Sequence, residues 1–264
     1  MDVLERILNV KRAELKTEKE QLPMRRAIEM ASAAPPPRDF PAAIRRAGAV
    51  NIIAEVKRAS PSRGLIRESA DPGAVAASYA AAGAAAISVL TDAKFFLGAP
   101  EHLEAVREAV AVPLLRKDFI FDEYQLYRSR ALGADALLLI ARVLDSKTLR
   151  TLIGVTRSLH MEALVEIHTV EDLDKAMECG AAVIGVNNRN LSTMTVSLDR
   201  SLVLADRLPM EVTRVSESGI ETAADIARLR AAGYHAVLIG ETLMKAADPE
   251  AALRALTGTG RAAG

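Results

Sequence analysis

Glu55 and Lys57 stand two positions apart where an apolar run breaks into Ser, Pro and Gly, in the stretch "IIAEVKRASPSRG" over residues 52–64. Similar endings recur along the chain: Lys117 closes "PLLRK", Glu166 lies in "ALVEIH", Asn187 and Arg189 in "VIGVNNR", and Glu217 in "RVSES". Acids, lysines, an arginine and an amide gathered in one place can both donate and accept protons, which is the inventory of acid–base chemistry. For any single ending a structural ion pair is an equal reading, because buried pairs also hold elements together. Five such endings are harder to assign to packing, since each unpaired polar group taken out of water costs on the order of several kcal/mol. A bound ligand is the better reason to collect them.

Residues spread from position 55 to position 217 converge only if the fold brings strand ends together. Eight short apolar runs meet that need: "VNIIAEVK", "AAISVLTD", "VPLLRKDF", "DALLLIA", "EALVEIH", "AAVIGVNNR", "EVTRVSES" and "HAVLIG". Their ends lie about 20 to 35 positions apart, the length of a strand, a helix and two loops. The stretches between them are Ala-rich and amphipathic, as in "PGAVAASYAAAGA", "DEYQLYRSRALGA", "TVEDLDKAMECGA" and "TAADIARLRAAGY", each closing near a Gly suited to a helix C-terminus. Eight βα units with near-continuously apolar strands predict an α/β protein of the (β/α)8 TIM-barrel type. An open doubly wound sheet is the alternative, although no GxGxxG follows the first strand. In the barrel, Glu55 and Lys57 point inward together, and every residue named above reaches the C-terminal rim, where barrel active sites lie.

Residues 1–49 precede the first strand. They hold a charged amphipathic helix (Val3, Leu4, Ile7, Leu8, Leu15), a Pro-rich break "AAPPPRDF" and a short helical stretch "PAAIRRAG". They are expected to form an N-terminal helical extension of one domain spanning 1–264. Lys plus Arg number 34 and Asp plus Glu 34, so no overall field favours nucleic acid or an anionic membrane as a partner. The N-terminus is charged, and no run approaches the roughly 18 apolar residues of a membrane span. A cytoplasmic protein, a monomer or weak homo-oligomer, is expected. The lone Cys179 excludes an intramolecular disulfide, and its setting is that of a buried inert thiol. No His pair has metal spacing, so no metal is expected. His102 and His160 fall in helical stretches and His235 precedes the last strand on the far face; His168, just past Glu166, is the one placed near the rim.

"SESGI" (216–220) and "LIGETLM" (238–244) each set a Gly after a strand and ahead of a helical segment. Backbone N–H groups there can meet an anion, and the loops after barrel strands seven and eight are a recurrent phosphate site. Gly219 and Gly240 together therefore point to a phosphorylated small molecule, though either alone reads equally as a turn residue. Ser60 and the "SPSRG" loop are placed to close over the opposite side, or form an ordinary Pro-containing turn.

The blocks "IIAEVKRASPSRGLI", "PLLRKDFIFDEYQ", "ALVEIHTVEDLDKA", "IGVNNRNL", "VSESGI" and "VLIGETLM" together resemble the indole-3-glycerol phosphate synthase family, from the N-terminal helix and "PRDF" to about residue 255. The resemblance implies a cofactor-free carboxy-lyase of tryptophan biosynthesis. It would convert 1-(2-carboxyphenylamino)-1-deoxyribulose 5-phosphate to indole-3-glycerol phosphate, CO2 and water. By the same resemblance Lys117 is the general acid at the ribulose carbonyl, and Glu166 assists loss of the hydroxyl. Glu55 and Lys57 orient the catalytic lysine and contact substrate, and which lysine serves which proton transfer stays open. Asn187 and Glu217 match the polar residues around the ring and hydroxyls, with Arg189 supporting the site beside Leu191. Phe96, Phe119 and Leu138 fall where the family packs the anthranilate ring. The phosphate would rest on Ser60, Ser218, Gly219, Gly240 and Glu241. The chain departs from the family pattern in "FIFDEYQ", in "SLDRS" and at Thr242, where Ser is common; the last bears on phosphate contact. Two other classes share this layout. A Schiff-base aldolase would use a strand-end lysine of lowered pKa as nucleophile, and a barrel that only senses a phosphorylated metabolite would keep the Gly loops while losing Lys117 or Glu166.

Overall fold

The eight apolar runs form eight strands: β1 Asn51–Val56, β2 Ala86–Leu90, β3 Leu114–Lys117, β4 Ala136–Ile140, β5 Glu162–Ile167, β6 Val183–Asn187, β7 Thr213–Glu217 and β8 Ala236–Ile239. The structure is a computed structural model that describes residues 3–48, 50–61, 64–67, 69–190 and 193–257. Each strand pairs in parallel with its sequence neighbour, and β1 pairs with both β2 and β8, so the sheet closes into a barrel. The open sheet is thereby excluded. Closure removes both edges, which an open parallel sheet would have to cover.

Strand alternation sorts the apolar residues into two cores. Inward-facing Ile53, Leu115, Leu138, Leu164, Val183, Val215 and Leu238 fill the barrel, and Phe40 and Ile44 plug its N-terminal end. Outward-facing Ile52, Ile87, Leu114, Leu137, Val165, Ile184 and Val237 pack under the helices. Both faces of the sheet are therefore dry, which accounts for runs that are apolar at nearly every position.

Those helices are α4 Pro72–Ala81, α5 Ala93–Phe96, α6 Pro100–Ala109, α7 Glu123–Ala131, α8 Ser146–Ser158, α9 Val170–Glu178, α10 Asp199–Ala205, α11 Ala223–Ala231, α12 Glu241–Lys245 and α13 Pro249–Thr257. Side chains of Asp71, Asp92, Asp122, Asp145, Thr169 and Thr222 each accept from a backbone N–H of the first turn, fixing where six of them begin. The four expected glycine stops are present, Gly83, Gly133, Gly180 and Gly233, all at positive φ. His160 differs from expectation: it lies beyond the end of α8 at φ 59, not within a helix. No helix among the described residues is long and apolar enough to cross a membrane.

Before the barrel come α1 Val3–Gln21, α2 Met24–Ala33 and α3 Phe40–Ile44. The sequence pattern had shown α1 and α3 but not α2, which starts anew at Pro23 because a proline cannot continue α1. α2 packs against α7, burying Ala27 and Ala31. Arg130 donates to the carbonyls of Ala34 and Pro35, which ties the Pro-rich segment to the barrel wall.

Candidate active site

Lys117 ends β3 pointing into the barrel mouth, and its ammonium lies 3.1 Å from Glu166 Oε2 and 2.9 Å from Glu217 Oε2. Three strand ends, β3, β5 and β7, thus supply one charge cluster. At the end of β1, Glu55 Oε1 and Nζ of Lys57, the residue just past the strand, are 2.8 Å apart and form their own pair. Lys117 is held directly by Glu166 and Glu217, while Glu55 acts on it through its charge. Asn187 at the end of β6 bonds Glu166 and accepts from the Arg189 backbone N–H at 2.9 Å.

Two carboxylates on one ammonium settle its protonation. Burial alone would lower the Lys117 pKa, but the charges of Glu217, Glu166 and Glu55 outweigh it and raise the group above its ordinary value. Burial pushes Glu217 the other way, toward the neutral acid, and with Glu166 and Glu55 nearby it rises to about 7 despite Lys117. Burial also acts upward on Glu166, yet Lys117 prevails there and holds it below its ordinary value. The mouth therefore has a fixed cation, an anion and a carboxyl poised near neutrality.

A cavity of about 640 Å³ opens above this cluster. It is lined by Glu55, Lys57, Lys117, Glu166, Asn187, Arg189 and Glu217, so all seven polar residues that the sequence placed at the rim do meet. Ser60, Phe96, Phe119, Leu138, Ser218, Gly219, Gly240 and Glu241 line it as well. The rings of Phe96 and Phe119 lie 6.2 Å apart and tilted, an apolar wall suited to a flat aromatic ligand. Leu191, and Ser62 and Arg63 of the "SPSRG" loop, lie outside the described residues.

At the opposite wall Ser218 and Gly219 both take positive φ, 70 and 76. A non-glycine residue in that region is uncommon and marks a backbone shaped for function. Gly240 is close to Glu55: a Cβ there would overlap Glu55 Oε1. Its missing side chain therefore makes room for the carboxylate, whatever it also offers an anion. Thr242 Oγ1 donates to the Ile220 carbonyl at 2.9 Å. Arg189 reaches Glu241 at 3.4 Å, and Glu241 also pairs with Lys245 at 2.7 Å.

His168 does not line the cavity. It is buried behind Glu166, with Nε2 3.6 Å from Glu166 Oε1, and neither ring nitrogen has a hydrogen-bond partner. His235 sits at the far end of the barrel, accepting from the Arg214 backbone N–H. Cys179 is buried. No cluster of three metal-ligating side chains occurs among the described residues.

Sequence reasoning missed the part played by α1. Val3, Leu4 and Ile7 form part of the cavity wall, and Lys11, one turn on, reaches Asp118 at 3.2 Å and Asp92 at 3.8 Å. The signal was present: Lys11 occupies a position on the apolar stripe of Leu4, Ile7, Leu8 and Leu15, where a charge needs a buried partner.

A closed parallel barrel with an acid–base cluster at the C-terminal rim and an aromatic wall defines an enzyme of the (β/α)8 class. Among solved structures, 3-hexulose-6-phosphate synthase from Salmonella typhimurium has a similar fold, with a TM-score of 0.64 at 14% identity over 79% of this chain and 97% of that one. The family model for indole-3-glycerol phosphate synthase matches residues 4–256. Proteins of that name from Carboxydothermus hydrogenoformans and Roseiflexus sp. are each 48% identical to the chain, over 96% and 97% of its length and 98% of theirs. The chain belongs to the indole-3-glycerol phosphate synthase family, and its chemistry is that of a carboxy-lyase in tryptophan biosynthesis.

Proposed function

We propose that this barrel closes the indole ring with Lys117 as general acid and Glu166 as its anionic counterpart. The observation that carries the reading is the ammonium of Lys117 held between Glu166 and Glu217 at the floor of the cavity. The anthranilate ring of 1-(2-carboxyphenylamino)-1-deoxyribulose 5-phosphate would lie against Phe96, Phe119 and Leu138. Its carboxyl-bearing carbon attacks the ribulose carbonyl, and the Lys117 ammonium protonates the oxygen as the new C–C bond forms. Loss of CO2 leaves its electron pair in the ring. The hydroxyl made in the first stage then departs as water, taking a proton from an acid, while the CH2 beside the ring nitrogen gives one up to Glu166 and the double bond that completes the indole forms, with the nitrogen keeping its own proton. Glu217, poised near neutrality and 2.9 Å from Lys117, can return a proton to it between the stages.

Ser60, Ser218, Gly219, Gly240 and Glu241 would surround the phosphate, with Lys57, Glu55 and Asn187 on the sugar hydroxyls. Arg189 holds Glu241 from behind, and Leu191 would contact the substrate. The raised pKa of Lys117 speaks against a Schiff base, since imine formation needs a neutral amine. We read residues 1–264 as one working unit, cytoplasmic, acting on a phosphorylated small molecule and not on nucleic acid, as a monomer or weak homo-oligomer. The test is to incubate the chain with the carboxyphenylamino ribulose phosphate, without added metal or nucleotide, and follow indole fluorescence. Borohydride added during turnover should trap nothing on the protein. No fluorescence gain, or a mass increase on the Lys117 peptide, would remove this reading.

A further inference from the structure

Gly185 lies mid-strand in β6, facing into the barrel, and its φ is not in the left-handed region, so the backbone there makes no demand for glycine. The demand comes from a neighbour. A Cβ at Gly185 would overlap Glu217 Oε1 and stand 3.1 Å from Glu217 Cδ and 3.2 Å from Leu164 Cδ1. The Glu217 side chain thus folds down into the space above Gly185, with Oε1 buried and without a hydrogen-bond partner, while Oε2 reaches up to Lys117 at 2.9 Å. A carboxylate oxygen left dry and unpaired is a costly arrangement. It persists here because the absent side chain leaves a berth of the right size, beside Leu164.

We propose that Gly185 is a positioning residue for the acid–base cluster: its missing side chain is the berth of Glu217 Oε1, and that berth fixes how Glu217 meets Lys117. The inference rests on the ring-closing activity proposed above. Without the berth, the Glu217 carboxyl swings toward the open mouth, loses its burial and its fixed contact with Lys117, and no longer holds a proton near neutrality. Gly240 likewise leaves room for Glu55 two strands along the barrel, so two of the strand-end carboxyls each sit over an absent Cβ.

The test is a double-mutant cycle between Gly185→Ala and Glu217→Ala, read by turnover, thermal stability and pH profile. Gly185→Ala alone should lower kcat by about ten- to a hundredfold, the scale of a misplaced catalytic group, with KM moving far less. Its pH–kcat profile should lose the inflection near neutrality or move it to lower pH. In the Glu217→Ala background, where nothing occupies the berth, the added methyl should change neither residual kcat nor Tm. If Gly185→Ala folds poorly, the double variant should recover the lost stability. Equal losses in both backgrounds, in rate or in Tm, would mean that Gly185 serves packing against Leu164 and would overturn the proposal. Wild-type kinetics and pH profile in Gly185→Ala would do the same. A wild-type chain that forms no indole product would sink the activity instead, leaving the Tm cycle to judge the berth.

Discussion

Consecutive residues at the end of β3 enter two ion networks of different character. Lys117 points inward to Glu166 and Glu217, while Arg116 and Asp118 on either side of it point outward toward α1 and α7. In the outer network every oxygen of Asp118 is met: Oδ2 by Thr91 at 2.6 Å and Arg116 at 2.9 Å, Oδ1 by the Phe119 backbone N–H at 2.8 Å and Lys11 at 3.2 Å. In the inner one three glutamates face two lysines, and Glu217 Oε1 has no partner. Beside Asp118, Asp92 Oδ2 makes no hydrogen bond but lies 3.8 Å from the Lys11 ammonium, so the outer network is satisfied at its centre and charge-balanced at its edge, as a structural network needs to be. An incomplete network keeps protons mobile and leaves polar capacity for a ligand. The difference marks which cluster reacts and which one fastens α1 over the mouth.

The largest effect should come from removing the inner cation. Lys117→Met keeps the bulk, takes away the proton donor and leaves Glu166 and Glu217 without their shared partner. Indole formation should be abolished, with the circular dichroism of the barrel retained at neutral pH. Measurable turnover in the Met variant would move the acid role to Lys57.

Next comes Glu166→Gln, which should keep substrate binding and lower kcat by about two to four orders of magnitude, the range for a general acid or base. Binding measured by titration and turnover by indole fluorescence separate the two. A folded variant with unchanged turnover would take Glu166 out of the mechanism. For Gly240→Val the expectation is compound, because the side chain meets Glu55 before any anion. Weaker substrate binding alone would indicate the phosphate, and a fall in kcat as well would indicate the displaced Glu55–Lys57 pair.

The reverse profile is expected outside the ring. Lys11→Met removes one cation from Asp118 and the nearest one to Asp92, whose Oδ2 has no hydrogen bond. Thermal stability should fall by several degrees, since an uncompensated buried charge is costly. The rate at saturating substrate should stay within about tenfold of wild type, because no reacting group is touched. KM should rise as α1, whose Leu4 and Ile7 line the cavity, loosens. A kcat loss as deep as that of Glu166→Gln would erase the distinction between the networks.

Sequence reached the inner network more readily than the outer one for a physical reason. A barrel strand alternates strictly, so once the repeat was recognised the inward residues Glu55, Lys117, Glu166, Asn187 and Glu217 followed from parity alone. The helices were legible from their Gly stops and their periodicity. The outer network joins a helix near position 11 to strand ends near 92 and 118, and no local pattern encodes which surface α1 covers. Lys11 on an apolar stripe signalled a buried partner without naming it. Gly185 was hidden differently. A glycine inside an apolar strand reads as a packing concession, and only the direction of the Glu217 side chain shows that it houses a carboxyl.

The smallest effects, and the sharpest separation, lie in how stability depends on pH. Burial works against Asp118, but Arg116 and Lys11 prevail and hold it at about 2, below its ordinary 3.8. A depressed carboxyl stabilises the fold above its unfolded pKa, so this contribution is complete above about pH 3.8 and is lost as the pH falls toward 2. Glu217, raised by burial from 4.5 to about 7, behaves oppositely. Its contribution is complete below pH 4.5 and drains away as the pH rises to about 7. Asp118→Asn should therefore be less stable than wild type at pH 6 and converge on it toward pH 2. Glu217→Gln, which imitates the protonated acid, should match wild type near pH 4 and gain on it by a few degrees above pH 7. Tm scans of the three proteins from pH 2 to pH 8 decide this. If the Glu217→Gln and wild-type curves run parallel between pH 4.5 and 7, the inner carboxyl holds no displaced proton, and the two networks differ in place but not in kind.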